Sequence, residues 1–244
     1  WIRDTRKGEN RLLLSAGGSW TPLDFSPDGK RLLVMKYVSI SESYPGEVDV
    51  ASGKLTLFPV DGGKAAFGGF AFAPDGKGVY FISDEPVDGH PSEFLRLRYH
   101  DPRSGKLEVL SAGIPWDVEG FTIAHDGRHL AYMSNEDGIG KAHVITLPDH
   151  RPVPLPELPV GVIGGADFSP DGQRLALTLN TATSPSDVYV IGLADRSLER
   201  WTRREVGGLD TPQFVAPTRG TASAAPSPRS TTSPPASPRA ASCR

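Results

Sequence analysis

A serine hydrolase needs its nucleophile on a strained strand-to-helix turn, G-x-S-x-G, which exposes the hydroxyl beside an oxyanion hole. Ser19 comes closest in this chain. Gly17 precedes it correctly, but Thr21 stands where the second glycine must be, so Gly17-Gly18-Ser19 reads as a loop. His125 and His129 have the i, i+4 spacing that on a helix puts two imidazoles on one metal-binding face. Here they straddle Asp126-Gly127, so they leave a turn on different strands and read as turn and strand residues. His90, His100, His143 and His150 converge on no spacing. Glu136-Asp137, beside Gly138, supplies too few oxygen ligands for a calcium loop and reads as a solvated hairpin turn. Asp84-Glu85 reads as the end of a strand. The one cysteine, Cys243, excludes a disulfide framework within the chain. No catalytic, cofactor-binding or metal-binding residue follows from these patterns, and no cofactor is implied.

The elements that would position any site are set by a repeat. Phe25-Ser26-Pro27-Asp28-Gly29-Lys30 returns as Phe72-Ala73-Pro74-Asp75-Gly76-Lys77. It returns again as Ile123-Ala124-His125-Asp126-Gly127-Arg128 and as Phe168-Ser169-Pro170-Asp171-Gly172-Gln173, with glycine-to-glycine steps of 47, 51 and 45 residues. Such a period marks a repeat architecture. Proline presets the first corner of a turn, aspartate tolerates the second, and glycine takes the left-handed position without steric cost. Asp28, Gly29, Asp75, Gly76, Asp126, Gly127, Asp171 and Gly172 are thus assigned a structural role, as turn residues. Apolar runs follow each turn: Leu32–Met35, Val79–Ile82, Leu130–Met133 and Leu175–Leu177. A second hairpin follows in each repeat, turning near Ser52-Gly53-Lys54, Ser104-Gly105-Lys106 and Asp195-Arg196-Ser197.

Two hairpins make a four-stranded antiparallel unit, the blade of a β-propeller. The expected fold is all-β: a partial propeller of TolB-like or WD-like repeats, about four blades plus half of a preceding one. The blades are placed at 20–60, 68–111, 118–154 and 164–203, within a propeller region of 16–204. Residues 1–15 form the outer half of a preceding blade, with Arg11–Leu14 as a strand. Ser39–Gly46 and Thr181–Pro185 are expected as longer loops between hairpins. The third blade is the least regular, because Pro152, Pro154, Pro156 and Pro159 fit an edge strand or a loop. Glu42 and Glu93 fall on inter-hairpin loops. Such loops can face a channel mouth and meet a peptide amino terminus, although surface charge is the reading adopted. Trp20, Trp116 and Trp201 recur near blade boundaries and are read as inter-blade packing.

Composition agrees with a turn-rich β protein: 38% hydrophobic residues, 27 glycines and 23 prolines in 244 residues. There is no apolar run long enough for a membrane span and no signal core. The net charge of −3 is unevenly placed. Residues 216–244 carry four arginines and no acid, leaving the rest at −7. A mildly acidic body argues against a nucleic-acid surface. From Ala216 onward no large apolar residue occurs, so 218–244 is expected to be disordered. The abruptness of the change points to a shifted reading frame.

Three stretches are more specific than the turns. They are Val118–Phe121 through Ser134–Gly138, Ser184-Pro185-Ser186-Asp187-Val188-Tyr189-Val190, and Arg200–Asp210. Together they resemble the last propeller blades of bacterial members of the prolyl oligopeptidase family of serine peptidases, of the acylaminoacyl or dipeptidyl peptidase kind. The resemblance covers about residues 1–215. It implies peptide substrates, a propeller that restricts access to short peptides, and an exit segment at 205–217. That segment would lead to an α/β-hydrolase domain in the same chain, which carries the Ser-Asp-His triad. Nothing after Pro217 matches that domain, so no catalytic residue carries over, and the chain is expected to be a non-catalytic propeller portion. The compartment, cytoplasm or periplasm, stays open. The rival reading is a stand-alone TolB-like propeller that binds a protein or peptide. With fewer blades than the family's ring, the end blades are expected to present apolar faces and to associate.

Overall fold

The computed structural model describes residues 1–60, 62–87 and 89–207; the expectations for the disordered tail and for most of the exit segment lie outside these. The described chain is a run of antiparallel sheets without helices, and hence no helix is long and apolar enough to cross a membrane. A short hairpin comes first, with β1 (Ile2–Arg3) paired to β2 (Asn10–Arg11). Four four-stranded sheets follow. The first contains β3 (Ser19–Phe25), β4 (Arg31–Ser39), β5 (Glu42–Asp49) and β6 (Leu55–Leu57). The second contains β7 (Phe67–Phe72), β8 (Val79–Ser83), β9 (Arg96–Asp101) and β10 (Lys106–Val109). The third contains β11 (Val118–Ile123), β12 (His129–Glu136), β13 (Ile139–Thr146) and β14 (Pro152–Val153). The fourth contains β15 (Gly161–Phe168), β16 (Arg174–Thr181), β17 (Ser184–Gly192) and β18 (Leu198–Arg200). This is the partial, all-β propeller expected from the repeats.

The sequence makes blades because its middle strands are apolar on both faces. In β4, Leu32 and Val34 point one way and Leu33 and Met35 the other, as strand alternation requires; all five residues of β8 are buried. Each sheet therefore has two apolar faces and must be sandwiched between neighbours. Three cores fill the three gaps. Leu33, Phe67, Phe70, Phe72 and Phe81 join the first two blades, with Phe70 stacked 5.1 Å from Phe81 and 5.6 Å from Phe58. Tyr80, Ile82, Leu97, Leu130 and Tyr132 join the second and third. Ala131, Val144, Leu175, Leu177, Leu179 and Ile191 join the third and fourth. A fourth cluster packs Leu13 on Leu32, Val34 and Val48.

The strands β3, β7, β11 and β15 touch in succession and form the inner ring. Each slips register once, between Pro22 and Asp24, Phe67 and Gly69, Val118 and Gly120, and Ile163 and Gly165. A bulge of this kind sharpens local twist, and its recurrence gives the four inner strands a common bend.

Several sequence expectations need correction. Leu12–Leu14 is not strand, since pairing stops at Arg11. Ser39–Gly46 and Thr181–Pro185 are not loops. β4 reaches Ser39 and β5 restarts at Glu42, while β16 reaches Thr181 and β17 restarts at Ser184. Pro45 and Pro185 cannot donate to a ladder, yet each sits within a strand. The longest connection inside a sheet lies elsewhere, between Ser83 and Arg96. In the third blade, Pro152 begins a two-residue edge strand after a turn with a cis Leu147-Pro148 bond.

Candidate functional site

The two ends of the propeller differ in chemistry. At one end lie the four P-D-G-type turns, side by side: Pro27 approaches Gly76, Pro74 approaches Gly127, and Asp126 approaches Gly172. Each closes with the same bond, the glycine amide donating to the residue three earlier, at 2.7 Å for Gly29 and 2.8 Å for Gly76, Gly127 and Gly172. The glycines have φ of 68°, 69°, 70° and 69°, the left-handed region that other residues avoid. The carboxylates of Asp28, Asp75, Asp126 and Asp171 each accept the amide two residues on, at 3.0–3.1 Å. Ser26 and Ser169 also donate their hydroxyls to Asp28 and Asp171 at 2.6 Å. These bonds from serine first, then from the backbone, hold both carboxyls below their usual range. All eight residues are thus occupied in building turns.

The opposite end carries the hairpin tips that join the second strand of each blade to the third, and the starts of the inner strands. Here apolar side chains face outward: Tyr37, Val38 and Ile40 on the first tip, Trp116 before β11, and Val160 and Val162 at the start of β15, with Ile40 89% exposed. The chain also leaves the last sheet toward this end. β18 runs antiparallel to β17, Trp201 donates its amide to the Val188 carbonyl at 2.8 Å, and the following residues gather on Asp187.

Asp187 is fully buried. Its carboxylate accepts the Thr202 hydroxyl at 3.0 Å, the Arg204 amide at 2.9 Å, the Ser184 hydroxyl and the Arg200 guanidinium. Burial pushes its pKa up, but the bonds from Ser184, Arg204, Thr202 and Arg200 outweigh this and hold it at about 2. One carboxylate therefore fastens residues 200–204 to β17. The two stretches it joins, Ser184–Val190 and Arg200 onward, are adjacent only in space. Both stretches carry the family resemblance, but their contact is not legible in the sequence, because a lone Asp in a strand gives no local sign of a partner beyond it.

The other candidates lie apart. Ser19 opens β3, opposite Tyr37. His125 is exposed at its turn, while His129 stacks on Phe168 of the next blade, with ring centres 6.3 Å apart. Glu136 accepts from Ser134 at 3.1 Å, and Asp137 forms the tight turn with Gly138, both at positive φ. Asp84 accepts the Ala66 amide at 2.7 Å and Glu85 accepts from Ser83 at 3.0 Å. Glu42 accepts from Tyr44 at 2.7 Å on the first blade. Glu93 lines a rim cavity of the second blade with Phe94 and Val109, so the two glutamates share no site. Among the described residues no group of acids and histidines could hold a metal ion. The tryptophan reading needs correction: Trp20 packs into an apolar cluster, but Trp116 and Trp201 are exposed. Arg174 covers Trp201, 5.7 Å from its ring centre.

A partly buried polar chain between the second and third blades was also not legible. Tyr80 Oη lies 2.9 Å from His150 Nε2, His150 Nδ1 lies 3.1 Å from Glu108, and Lys106 lies 2.7 Å from the same carboxylate. Burial pushes the Tyr80 phenol up. Burial also raises Glu108, but Lys106 and His150 outweigh it and bring its carboxyl down. The arrangement ties β8 to the turn between β13 and β14, 70 residues on in sequence; the space adjoining it is about 60 Å³.

No protein-family model and no curated protein matches the chain. Solved structures do. A structure from a study of two prolyl endopeptidases is similar with a TM-score of 0.62 and 20% identity, over 80% of this chain and 27% of that one. TolB from Acinetobacter baumannii gives 0.56 and 18%, over 82% of this chain and 48% of that one. An oligogalacturonate lyase in complex with manganese gives 0.63 and 14%, over 82% and 58%. The chain thus spans about a quarter of the length of the prolyl endopeptidase it resembles. At these identities the likeness is one of fold, and the fold is a β-propeller.

Proposed function

We propose that this chain is the propeller portion of a prolyl oligopeptidase-like serine peptidase, gating access of peptides to an α/β-hydrolase domain and carrying no catalytic residue itself. The observation that carries this reading is the Asp187 fastening. It joins two of the stretches that resemble the family, and it directs the outgoing chain to the end where Tyr37, Val38, Ile40, Trp116, Val160 and Val162 are exposed. A second domain on that end would cover those side chains. The likeness to prolyl endopeptidase and puromycin hydrolase structures gives further support. Gating would then act by size, as an annulus of blades above the hydrolase, and peptide-bond cleavage would belong to a serine of the other domain.

The test is to read the DNA beyond this coding segment in all three frames and to assay the chain with proline-containing chromogenic peptides. A downstream frame encoding G-x-S-x-G within an α/β pattern, with no hydrolysis by the isolated chain, is the expected result. Downstream sequence free of any hydrolase pattern, with a peptide or protein retained by the isolated chain, would replace this reading with the stand-alone TolB-like binding propeller.

A further inference from the structure

Counted from the turn glycines, a given position of the inner strands meets similar surroundings from blade to blade. The residue four before the glycine lies at a blade joint, where it is met by the residue two after the glycine of the preceding blade. Arg31 lies over the Phe72 ring, 4.8 Å from its centre, and His129 stacks on Phe168. Gly78 and Ile123 hold the same two places at the middle joint. The residue nine before the glycine also points into a joint: Phe67, Val118 and Ile163 are buried in the three cores between blades.

The residue eight before the glycine behaves differently. It is Thr21, Gly68, Glu119 and Gly164 in the four blades, and it is exposed in each. In β7, β11 and β15 it is the extra residue that the register slip leaves without a partner on the next strand. A bulge turns such a residue out of the ladder. Each inner strand pairs along one edge only, so its free edge borders the central channel of the propeller. β11 has a blade on either side, and each blade packs on its neighbours. The exposure of Glu119 therefore comes from the channel and not from the ends of the chain.

The charge on this inner ring is of one sign. The four inner strands hold Asp24, Glu119 and Asp167 and no lysine, arginine or histidine. Asp24 accepts the Phe72 amide and Asp167 the Phe168 amide, both at 2.9 Å. Asp117, just before β11, accepts the Leu95 amide at 2.8 Å. Glu119 has neither a hydrogen bond nor an ion pair among the described residues. The equivalent places in the blades on either side are glycines, Gly68 and Gly164, so no side chain of the same ring position fills the space beside the carboxylate. A passage lined by charge of one sign concentrates the opposite charge, and the flanking glycines leave room for a long side chain to lie along the wall.

We infer that Glu119 is a specificity residue of the channel, pairing with a basic side chain, lysine or arginine, of a peptide that enters it. This rests on the reading of the propeller as a gate for peptides. A point on the wall of a passage is passed by every side chain of an extended peptide but by its amino terminus only once. The cation that Glu119 meets is therefore that of a side chain.

The test is fluorescence anisotropy of the full chain with three matched peptides, each labelled at the carboxyl end. One is acetylated with a central lysine, one is acetylated with glutamine in its place, and one has that glutamine and a free amino terminus. The lysine peptide is expected to bind about three- to fivefold tighter than its acetylated glutamine counterpart, the range of one exposed ion pair, and salt is expected to shrink the difference. Glu119→Gln, at an exposed site, is expected to abolish the difference, with circular dichroism confirming that the blades are folded. Gly164→Leu is expected to reduce it with the charge retained, because a Cβ there has no neighbour closer than 3.9 Å and the longer side chain crowds the carboxylate. Equal or undetectable binding of the lysine and acetylated glutamine peptides overturns the proposal. So does a difference that survives Glu119→Gln or is untouched by Gly164→Leu, or a preference that follows the free amino terminus instead. The gate itself is decided separately, by the downstream reading frame: a missing hydrolase with the lysine preference intact removes the gate and upholds Glu119 as the binding residue of a stand-alone propeller.

Discussion

Replacing Asp187 by asparagine tests whether one carboxylate holds the outgoing chain. In the native protein its pKa falls from 3.8 to about 2, equivalent to about 2 kcal/mol of preference for the charged form in the folded state. The sign follows from the direction of that shift. A carboxylate depressed on folding stabilises the fold at pH values above its unfolded pKa. That contribution drains away as pH falls through 3.8 toward 2. Asparagine keeps the shape but loses the charge, and its NH2 group must face donors whichever way it turns: Ser184 and Arg200 on one side, or Thr202 and the Arg204 amide on the other. The variant should lose about 2–3 kcal/mol at neutral pH, the cost of breaking a charged, hydrogen-bonded group in a buried place. Its stability should then change less than the wild type's between pH 4 and pH 2. Urea unfolding at a series of pH values measures both. The freed segment should also expose Arg203 and Arg204 to trypsin under native conditions, releasing the residues beyond while the blades stay folded. A variant within about 0.5 kcal/mol of wild type, with an unchanged acid limb and unchanged tryptic cleavage, would refute the fastening.

The remaining predictions concern the turns and the blade joint. Gly172→Ala should cost more than Gly29→Ala, although both glycines have the same φ near 70°. A Cβ on Gly29 meets open space and incurs only the left-handed penalty of about 1 kcal/mol, whereas one on Gly172 would clash with the Asp126 carboxylate; equal melting temperatures for the two variants would show that the turns do not pack as described. Tyr80→Phe should lower stability by about 1 kcal/mol, because it strips His150 Nε2 of its 2.9 Å partner inside the joint. The check is denaturant unfolding of the variant, and a gain in stability would mean that the partly buried polar chain is a cost carried for another reason.

How much of this was legible beforehand depends on the range of the interaction. The P-D-G turns are local: four consecutive residues contain the corner, the carboxylate cap and the left-handed glycine, so the number of sheets could be counted from them. The tips that join the second strand of a blade to the third are hard to read because their sign is negative. Pro45 and Pro185 look like breaks, and only the pairing of Pro45 with Met35, and of Ser184 and Asp187 on either side of Pro185, shows that the ladder continues. Asp187 was invisible for a related reason. Its four donors lie 3 to 17 residues away along the chain, and nothing in the spacing of Ser184, Arg200, Thr202 and Arg204 marks them as one cluster until β18 returns alongside β17.

The blade joint lies between these extremes. Phe72 and Arg31 are 41 residues apart, too far for any local rule, yet each sits at a fixed offset from its own turn glycine. Once the glycines are aligned as a common origin, the offsets become a code that can be compared between repeats: Arg with Phe, His with Phe, Gly with Ile. The structure was needed to show that position four before the glycine faces backward and position two after it faces forward. With that one fact of register, the sequence alone says which blade faces match. A repeat protein is quasi-one-dimensional, each unit answering chiefly to its neighbours, so its interfaces can be read by offset in a way that a single irregular core does not permit. By the same reasoning, changing His129 to glycine and Phe168 to isoleucine together should be less destabilising than the sum of the two single changes, because the stacked pair is lost only once. Strict additivity in a double-mutant cycle would mean that the two rings are merely adjacent, and the offset rule would fail at the joint where it is most easily tested.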